Sequence, residues 1–276
     1  MKVYAFGEKD RPALVLLPGT CCHWKGNFGH VIPALARDYR VLAVSYDGFD
    51  ETEATEFPTM LEETAKIEDY LLAHCGGHIR GAYGCSLGGS FVGLLAVRGR
   101  VRMDHGILGG SDLDQASPLL AKLETKLMMP LFYPLVRDGQ FSARFLQKQM
   151  EKSRRAMPEY LDAFLGMFGG ARPYVTRRSC ENQFYSDLVT PLPEGISVPG
   201  GHMAGSVAVA AADIPEALAQ VDRAKEQGVD LIKLMITGGV IYSQDLQHEE
   251  LLACHPEGWA RLVKSILGAP AGTGEE

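Results

Sequence analysis

Residues 79–96, IRGAYGCSLGGSFVGLLA, place a Cys-Ser pair among glycines between two apolar runs. A hydroxyl or thiol in such a position can attack a carbonyl carbon once a general base takes its proton. Ser86 has glycine two residues before and two residues after it, whereas Cys85 in the same register would have Tyr83 where a glycine is needed. A sharp strand-to-helix turn exposes a nucleophile and needs small neighbours, because the chain folds back closely on itself. The pattern predicts Ser86 as the nucleophile, with a purely structural glycine turn as the alternative.

The elements around this turn alternate along the chain. Continuous apolar runs predict buried strands at 13–19 and 40–48, and IRGAYG and DHGILGGSD predict a third strand at 79–84 and a fourth at 104–112. Amphipathic or small-residue helices are predicted between them. Strands that alternate with helices are typical of a parallel α/β sheet. Residues 117–192 are instead rich in Met, Phe, Tyr and Leu at helical spacing, without a strand-like run. We therefore expect a core of residues 1–116 and 193–268, a helical cap over 117–192, and a disordered tail at 269–276.

The pentad Gly84-Cys85-Ser86-Leu87-Gly88, in its strand-turn-helix context, resembles the nucleophile turn of the α/β-hydrolase family. The resemblance covers about residues 1–192 and resumes near Asp245. It implies an α/β fold with a mostly parallel sheet of that type and an inserted helical cap. It also implies an oxyanion hole formed by two backbone N–H groups, those of Leu87 and of Thr20 in LPGTCCHW, with Cys21 as the neighbouring candidate. A plain turn after the strand is the alternative for this loop.

A serine nucleophile needs a base, and the chain has eight histidines. The family carries its catalytic histidine after the last strand. His248 lies in the polar stretch QDLQHEELLACHPEGW before the final predicted helix, so the resemblance implies that His248 is the base. His255 precedes Pro256 at the entrance of that helix, where a surface or capping role is expected. Packing, solvent or structural roles are expected for the histidines near the predicted strands: His23, His30, His74, His78 and His105.

The acid of the triad is less well determined. The family's acid usually follows the penultimate strand, and Asp213 occupies such a position at the end of SVAVAAAD. A helix N-cap is the alternative role for an aspartate there. Asp112, after the fourth predicted strand, is the main rival, and Asp114 and Asp245 are further candidates.

Residues 201–240 resemble a different family, the metal-dependent amidohydrolases related to imidazolonepropionase and dipeptidases. Lys233 matches a lysine that in some members is carbamylated and bridges two metal ions. No His-x-His motif follows an early strand, and His202 and Lys233 alone cannot complete a metal site. We expect this segment to supply a strand, a helix and a strand to the hydrolase core, with no metal and no cofactor.

Composition limits the remaining classes of function. The net charge is −7, which argues against nucleic-acid binding, and no apolar run reaches the ~18 residues of a membrane-spanning helix. The six cysteines show no C-x-x-C spacing, and the N-terminus lacks the pattern of a signal peptide, so a cytoplasmic protein with reduced thiols is expected.

Together these features predict a serine hydrolase that cleaves an ester, thioester or amide of a small, apolar acyl substrate. A non-catalytic ligand-binding protein of the same fold is the first alternative, and a metal-dependent amidohydrolase is the second. The sequence does not define the substrate or the oligomeric state.

Overall fold

The structure is a computed structural model, and it describes residues 1–109, 116–156, 158–169, 174–192, 207–211, 219, 231–236 and 256–268. The strands are β1 (Lys2–Phe6), β2 (Ala13–Leu17), β3 (Arg40–Ser45), β4 (His78–Cys85), β5 (Arg102–Gly109), β6 (Val207–Ala211) and β7 (Leu231–Ile236). The helices are α1 (Trp24–Phe28), α2 (Ile32–Leu35), α3 (Met60–Cys75), α4 (Leu87–Arg98), α5 (Pro118–Asp138), α6 (Arg144–Ala156), α7 (Pro158–Gly166), α8 (Arg177–Val189) and α9 (Pro256–Leu267).

The strands form one sheet in the order β1-β3-β2-β4-β5-β7-β6. Every neighbouring pair is parallel except β1 and β3. The four central strands β2 to β5 are buried along most of their length and exposed only near their amino ends. A parallel sheet covered on both faces requires such continuous apolar strands, so the predicted α/β fold with a mostly parallel sheet is confirmed.

Two apolar cores lie on the two faces of the sheet. One contains Ile67 and Leu71 of α3 and Phe91 of α4, and the other contains Phe28 of α1 and Trp259 of α9. Helix α3 shows how the sequence sets such an element: Thr59 caps its start by accepting the Glu62 N–H at 3.2 Å, and Gly76 ends it in a left-handed conformation. These helices hold the sheet rigid beneath the loops at its carboxyl end.

The structure differs from the sequence prediction at three strands. Strand β1 was not predicted, because its five residues are only partly buried and pair antiparallel with β3 at the edge of the sheet. Strand β5 begins at Arg102, two residues before the predicted start. Strand β7, for which no place in the sheet was predicted, lies between β5 and β6, so that β6 forms the outer edge of the described sheet.

The predicted cap and the amidohydrolase-like segment both have described parts. Helices α5 to α8 lie between β5 and β6 in the chain, and the described residues of 117–192 contain no strand. Two strands of the sheet come from the segment that resembles amidohydrolases. Residues 207–211 (β6) pair with residues 231–236 (β7), and β7 also pairs with β5. The division into core and cap at 116/117 and 192/193 stays a prediction, and the tail at 269–276 lies outside the described residues.

Candidate active site

Ser86 stands alone between β4, which ends at Cys85, and α4, which begins at Leu87. Its backbone has φ 49° and ψ −117°, a conformation that costs a non-glycine residue about 1–3 kcal/mol. The Ser86 N–H donates to the Gly109 carbonyl of β5 at 2.6 Å, which holds the turn against the neighbouring strand. A serine kept in a strained turn at the end of a central strand has the geometry of an exposed nucleophile.

The two glycines of the pentad are required by close backbone contacts. A Cβ on Gly84 would lie 2.0 Å from the Gly88 carbonyl oxygen, and a Cβ on Gly88 would lie 2.0 Å from that of Leu17. Both distances are far shorter than a van der Waals contact. The glycines therefore allow α4 to begin directly over the ends of β2 and β4, as the sequence pattern indicated.

Cys85 and Ser86 have different surroundings. Cys85 is buried, and the Asn27 side-chain amide lies 3.7 Å from its sulfur. Ser86 is partly exposed. The accessible, strained residue of the pair is thus the serine.

The loop after β2 approaches the same end of the sheet. Residues 19–22 form a β-turn in which the Cys22 N–H donates to the Gly19 carbonyl at 3.0 Å. Cys21, at the third position, has φ 57°; apart from Ser86, it is the only non-glycine residue with positive φ in the part of the chain that the structure describes. Positive φ at the third position alone is the pattern of a type II turn, where glycine is usual.

Counting the hydrogen bonds of this loop singles out Thr20. Two of the loop's N–H groups donate to side chains: that of Gly19 to Asn27 Oδ1 at 2.9 Å, and that of Cys21 to Gln183 Oε1 at 2.6 Å. Two others donate to carbonyls: that of Cys22 to Gly19 at 3.0 Å, and that of His23 to Met167 at 2.8 Å. Pro18 has no N–H, and no described residue accepts from the Thr20 N–H. Thr20 therefore keeps a backbone donor for a ligand beside Ser86.

Leu87 is the first residue of α4, so its N–H has no partner within the helix. The positive end of the helix dipole adds to the field at this point. The N–H groups of Leu87 and Thr20 come from two different loops at one end of the sheet. Such a pair can stabilise negative charge on an oxygen atom.

A cavity of about 310 Å³ opens above Ser86. Its walls come from the loop after β2, the nucleophile turn and the helical region 117–192: Gly19, Thr20, Cys22, Cys85, Ser86, Met128, Phe132, Phe164, Met167, Phe168 and Phe184. Four phenylalanines and two methionines dominate the list. The cavity can therefore enclose a small apolar group with its polar end at Ser86.

Helix α8 also carries a carboxyl group close to the site. Burial raises the pKa of Asp187 to about 6, and a hydrogen bond with Ser90 of α4 acts in the opposite direction. Burial likewise raises the pKa of the Cys21 thiol, which contacts Cys180 of α8. The Cys21 thiol therefore stays protonated at neutral pH and is a poor nucleophile.

Three of the remaining histidines have structural partners. His23 caps α1 by accepting the Lys25 N–H at Nδ1, at 3.3 Å, which leaves Nε2 to donate to Glu51 at 2.7 Å. The ring of His74 lies 4.3 Å from that of Tyr70, and His78 pairs with Asp104 at 2.9 Å. His74 and His78 lie at the amino end of the sheet, opposite Ser86.

The other predicted site residues lie outside the described residues: His248, Asp213, Asp112, Asp114, Asp245, His202 and His255. The strands that precede them are described. The last strand among the described residues, β7, ends at Ile236, and it lies between β5, which ends at Gly109, and β6, which ends at Ala211. Both candidate acids, Asp112 and Asp213, thus follow strands that flank the strand preceding His248, and this topology suits either acid equally well.

Of the two residues that the amidohydrolase resemblance marks, Lys233 is described and His202 is not. The described residues contain no group of three or more His, Cys, Asp or Glu side chains suited to a metal ion. Lys233 lies in β7, within the same sheet as the nucleophile turn.

Sequence reasoning missed Gln183 and Asn27, whose side chains bind the loop after β2. Nothing in the local pattern of either residue marks it. Gln183 is 162 positions from the N–H that it binds, so the signal exists only in the folded chain.

Comparisons with known proteins agree with this fold. The profile of the alpha/beta hydrolase family matches residues 14–265, and the chain belongs to that family. The match includes the segment 201–240 that resembles amidohydrolases. No curated protein matches the chain in sequence.

Solved structures share the fold at low identity. An α/β hydrolase family protein from Desulfitobacterium hafniense is 19% identical, with a TM-score of 0.69 over 97% of this chain and 100% of that chain. The enol-lactonase from Burkholderia xenovorans LB400 is 17% identical, with a TM-score of 0.59 over 96% and 95% of the two chains. A thermophilic esterase from Thermogutta terrifontis is 19% identical, with a TM-score of 0.60 over 96% and 92%. In the described residues, none of the helices has the length and apolar character needed to cross a bilayer.

Proposed function

We propose that this α/β hydrolase is a serine hydrolase that cleaves an ester, thioester or amide of a small apolar substrate through an acyl-enzyme. One observation carries the proposal: Ser86 is held at positive φ at the base of an apolar cavity that also contains Thr20. A strained serine beside spare backbone donors suits nucleophilic attack on a carbonyl.

In the proposed mechanism, the Ser86 hydroxyl attacks the acyl carbonyl while His248 accepts its proton. The N–H groups of Thr20 and Leu87 stabilise the resulting oxyanion. His248 then donates the proton to the leaving group, and a water molecule, activated by the same histidine, releases the acid. Asp213, or Asp112 in its place, orients the imidazole.

The cavity supports an apolar class of substrate. Its volume of about 310 Å³ lies at the lower end of the usual range for small-molecule sites. The wall of Phe and Met side chains offers few polar partners, so a short or medium apolar acyl group fits better than a charged one. Structural neighbours named as an enol-lactonase and an esterase support an ester-type bond.

A fluorophosphonate probe tests the proposal directly. The wild-type chain should be labelled at Ser86, and Ser86→Ala should not be labelled. A non-catalytic ligand-binding protein would leave the wild type unlabelled. A series of p-nitrophenyl esters of increasing chain length would then locate the preferred acyl group.

Chelation separates the proposal from metal-dependent hydrolysis. We expect full activity after prolonged EDTA treatment, because the proposed mechanism uses no metal. Loss of activity on EDTA treatment, with recovery on addition of zinc, would support the amidohydrolase alternative.

A further inference from the structure

Gln183 lies on α8, in the helical region, and is fully buried. Its side-chain oxygen accepts the Cys21 N–H at 2.6 Å across 162 positions of sequence. The bonded N–H belongs to the central peptide of the turn 19–22 that carries Thr20. The bond thus joins a helix that lines the cavity to the loop beside the nucleophile.

The orientation of this side chain is fixed by its partner. A backbone N–H can only donate, so Oε1 and not Nε2 faces Cys21. Nε2 is left buried, and no described residue accepts a hydrogen bond from it. A buried donor without an acceptor is unfavourable. An apolar side chain of the same size would remove that donor, but it would leave the Cys21 N–H without its acceptor. The reason for a glutamine here is therefore the bond that it makes to the turn.

The bond does explain the unusual turn. Types I and II differ by a flip of the central peptide, and only type II needs positive φ at the third position. Cys21 would adopt a type I turn without strain, but its N–H would then point away from Gln183. Accepting that N–H selects the type II form, although a cysteine rather than a glycine occupies the strained position.

The type II form determines which donor the loop presents. With the Gly19 N–H bound by Asn27 and the Cys21 N–H bound by Gln183, the peptides on both sides of the Gly19–Thr20 peptide are held. Thr20, whose N–H has no described acceptor, lines the cavity that contains Ser86. Phe184, the next residue of α8, lines the same cavity, so one helix contacts both the ligand space and the loop.

We propose that Gln183 is a positioning residue that holds the turn 19–22 in the form that presents the Thr20 N–H to the oxyanion. The proposal rests on the proposed function of Ser86. Gln183 touches neither substrate nor reacting atoms, and it acts through the peptide of Cys21. The oxyanion hole therefore forms only when α8 is packed against the turn 19–22.

The test compares two neighbours on α8 with p-nitrophenyl butyrate as substrate. Gln183→Met removes the acceptor at similar volume. Asn182→Leu is the matched control, because Asn182 also joins α8 to the core, through a 2.8 Å hydrogen bond to the Phe57 carbonyl far from the turn. We expect Gln183→Met to lower kcat about 10- to 100-fold with KM changed less than about threefold, since it misplaces a transition-state donor. Asn182→Leu should keep kcat within about twofold.

Rescue variants separate positioning from general damage. In Cys21→Gly/Gln183→Met, glycine adopts positive φ freely, so the turn should regain its form and kcat should recover about tenfold. Gln183→Glu, which retains an acceptor oxygen, should also exceed Gln183→Met. Equal losses in Gln183→Met and Asn182→Leu, or no recovery in either rescue variant, would overturn the proposal. A wild-type chain that hydrolyses no ester and takes no fluorophosphonate would instead overturn the proposed function, and the role of Gln183 with it.

Discussion

The two ends of the parallel sheet differ in how side chains satisfy the ends of the helices. At the amino end, three arginines donate to carbonyls at the ends of helices: Arg11 to Ala36 at 3.2 Å, Arg40 to His74 at 3.0 Å, and Arg80 to Leu267. At the carboxyl end, α4 begins at Leu87, and the side chain of its N-cap residue, Ser86, makes no capping bond. Side chains thus bind carbonyls at the amino end, whereas the first N–H groups of α4 at the carboxyl end have no side-chain cap.

The comparison explains why charge and chemistry separate in this fold. In a parallel sheet, helix C-termini, with their partial negative charge, lie at the amino ends of the strands, and helix N-termini lie at the carboxyl ends. Arginines satisfy the carbonyls at the first edge, so a groove there lined by Lys9, Arg11, Arg40 and Arg80 is accounted for by capping. Strain and spare N–H groups collect at the second edge, where a ligand can use them. We therefore expect substitutions at the carboxyl end to affect turnover and those at the amino end to affect stability.

Removal of the nucleophile should have the largest effect. Ser86→Ala should lower esterase turnover about 10⁶-fold, as loss of a triad nucleophile does elsewhere, with little change in melting temperature. Cys85→Ala is the control and should retain most activity, because the thiol is buried beside Asn27. Acylation of Cys85 by substrate, detected by mass spectrometry, would refute the assignment.

Loss of the base should be nearly as severe. His248→Gln should lower turnover about 10⁵- to 10⁶-fold, because no other group would accept the Ser86 proton. In the wild type, the pH dependence of kcat/KM should show an acidic limb near the ordinary pKa of histidine, about 6.5. Near-normal turnover in His248→Gln, together with inactivity of His30→Gln or His255→Gln, would move the role to another histidine.

The two candidate acids make opposite predictions. If Asp213 orients His248, Asp213→Asn should lower turnover about 10⁴-fold and Asp112→Asn should have little effect. The reverse result would assign the role to Asp112, whose strand β5 pairs directly with β4. Steady-state kinetics of both variants decides between them. If neither substitution lowers turnover, the triad has another acid or none.

The smallest effect is expected at the amino end. Arg40→Met removes the donor to the His74 carbonyl and should lower the free energy of unfolding by about 1 kcal/mol, or the melting temperature by about 2–4 °C, with unchanged kcat. Arg37→Met is the control, because Arg37 is exposed and forms no ion pair with any described residue. Calorimetry measures both. A loss of turnover in Arg40→Met without a loss of stability would contradict the proposed division between the two ends.

Sequence could predict much of this site, but only where the signal is local. The glycines around Ser86 appear in the sequence because backbone contacts within a few residues demand them. Strands β2 and β3 are predictable because both of their faces are buried and their runs are almost entirely apolar. Gln183 and the position of β7 inside β6 depend on contacts between distant segments, and no period or spacing encodes them.

The contacts between the helical region and the core also determine how quickly substrate and product can enter and leave the cavity. Besides the Gln183 bond, the His23 N–H binds the Met167 carbonyl, and a Cβ on Gly26 would lie 2.3 Å from the Gly166 carbonyl, so backbone meets backbone there. Swinging this region open as a lid would break several of these contacts at once, and such motions take microseconds to milliseconds. Rotation of Phe and Met side chains in the cavity wall takes picoseconds to nanoseconds when they are free to move. We therefore expect reactants to pass between mobile side chains while the backbone above Ser86 stays closed.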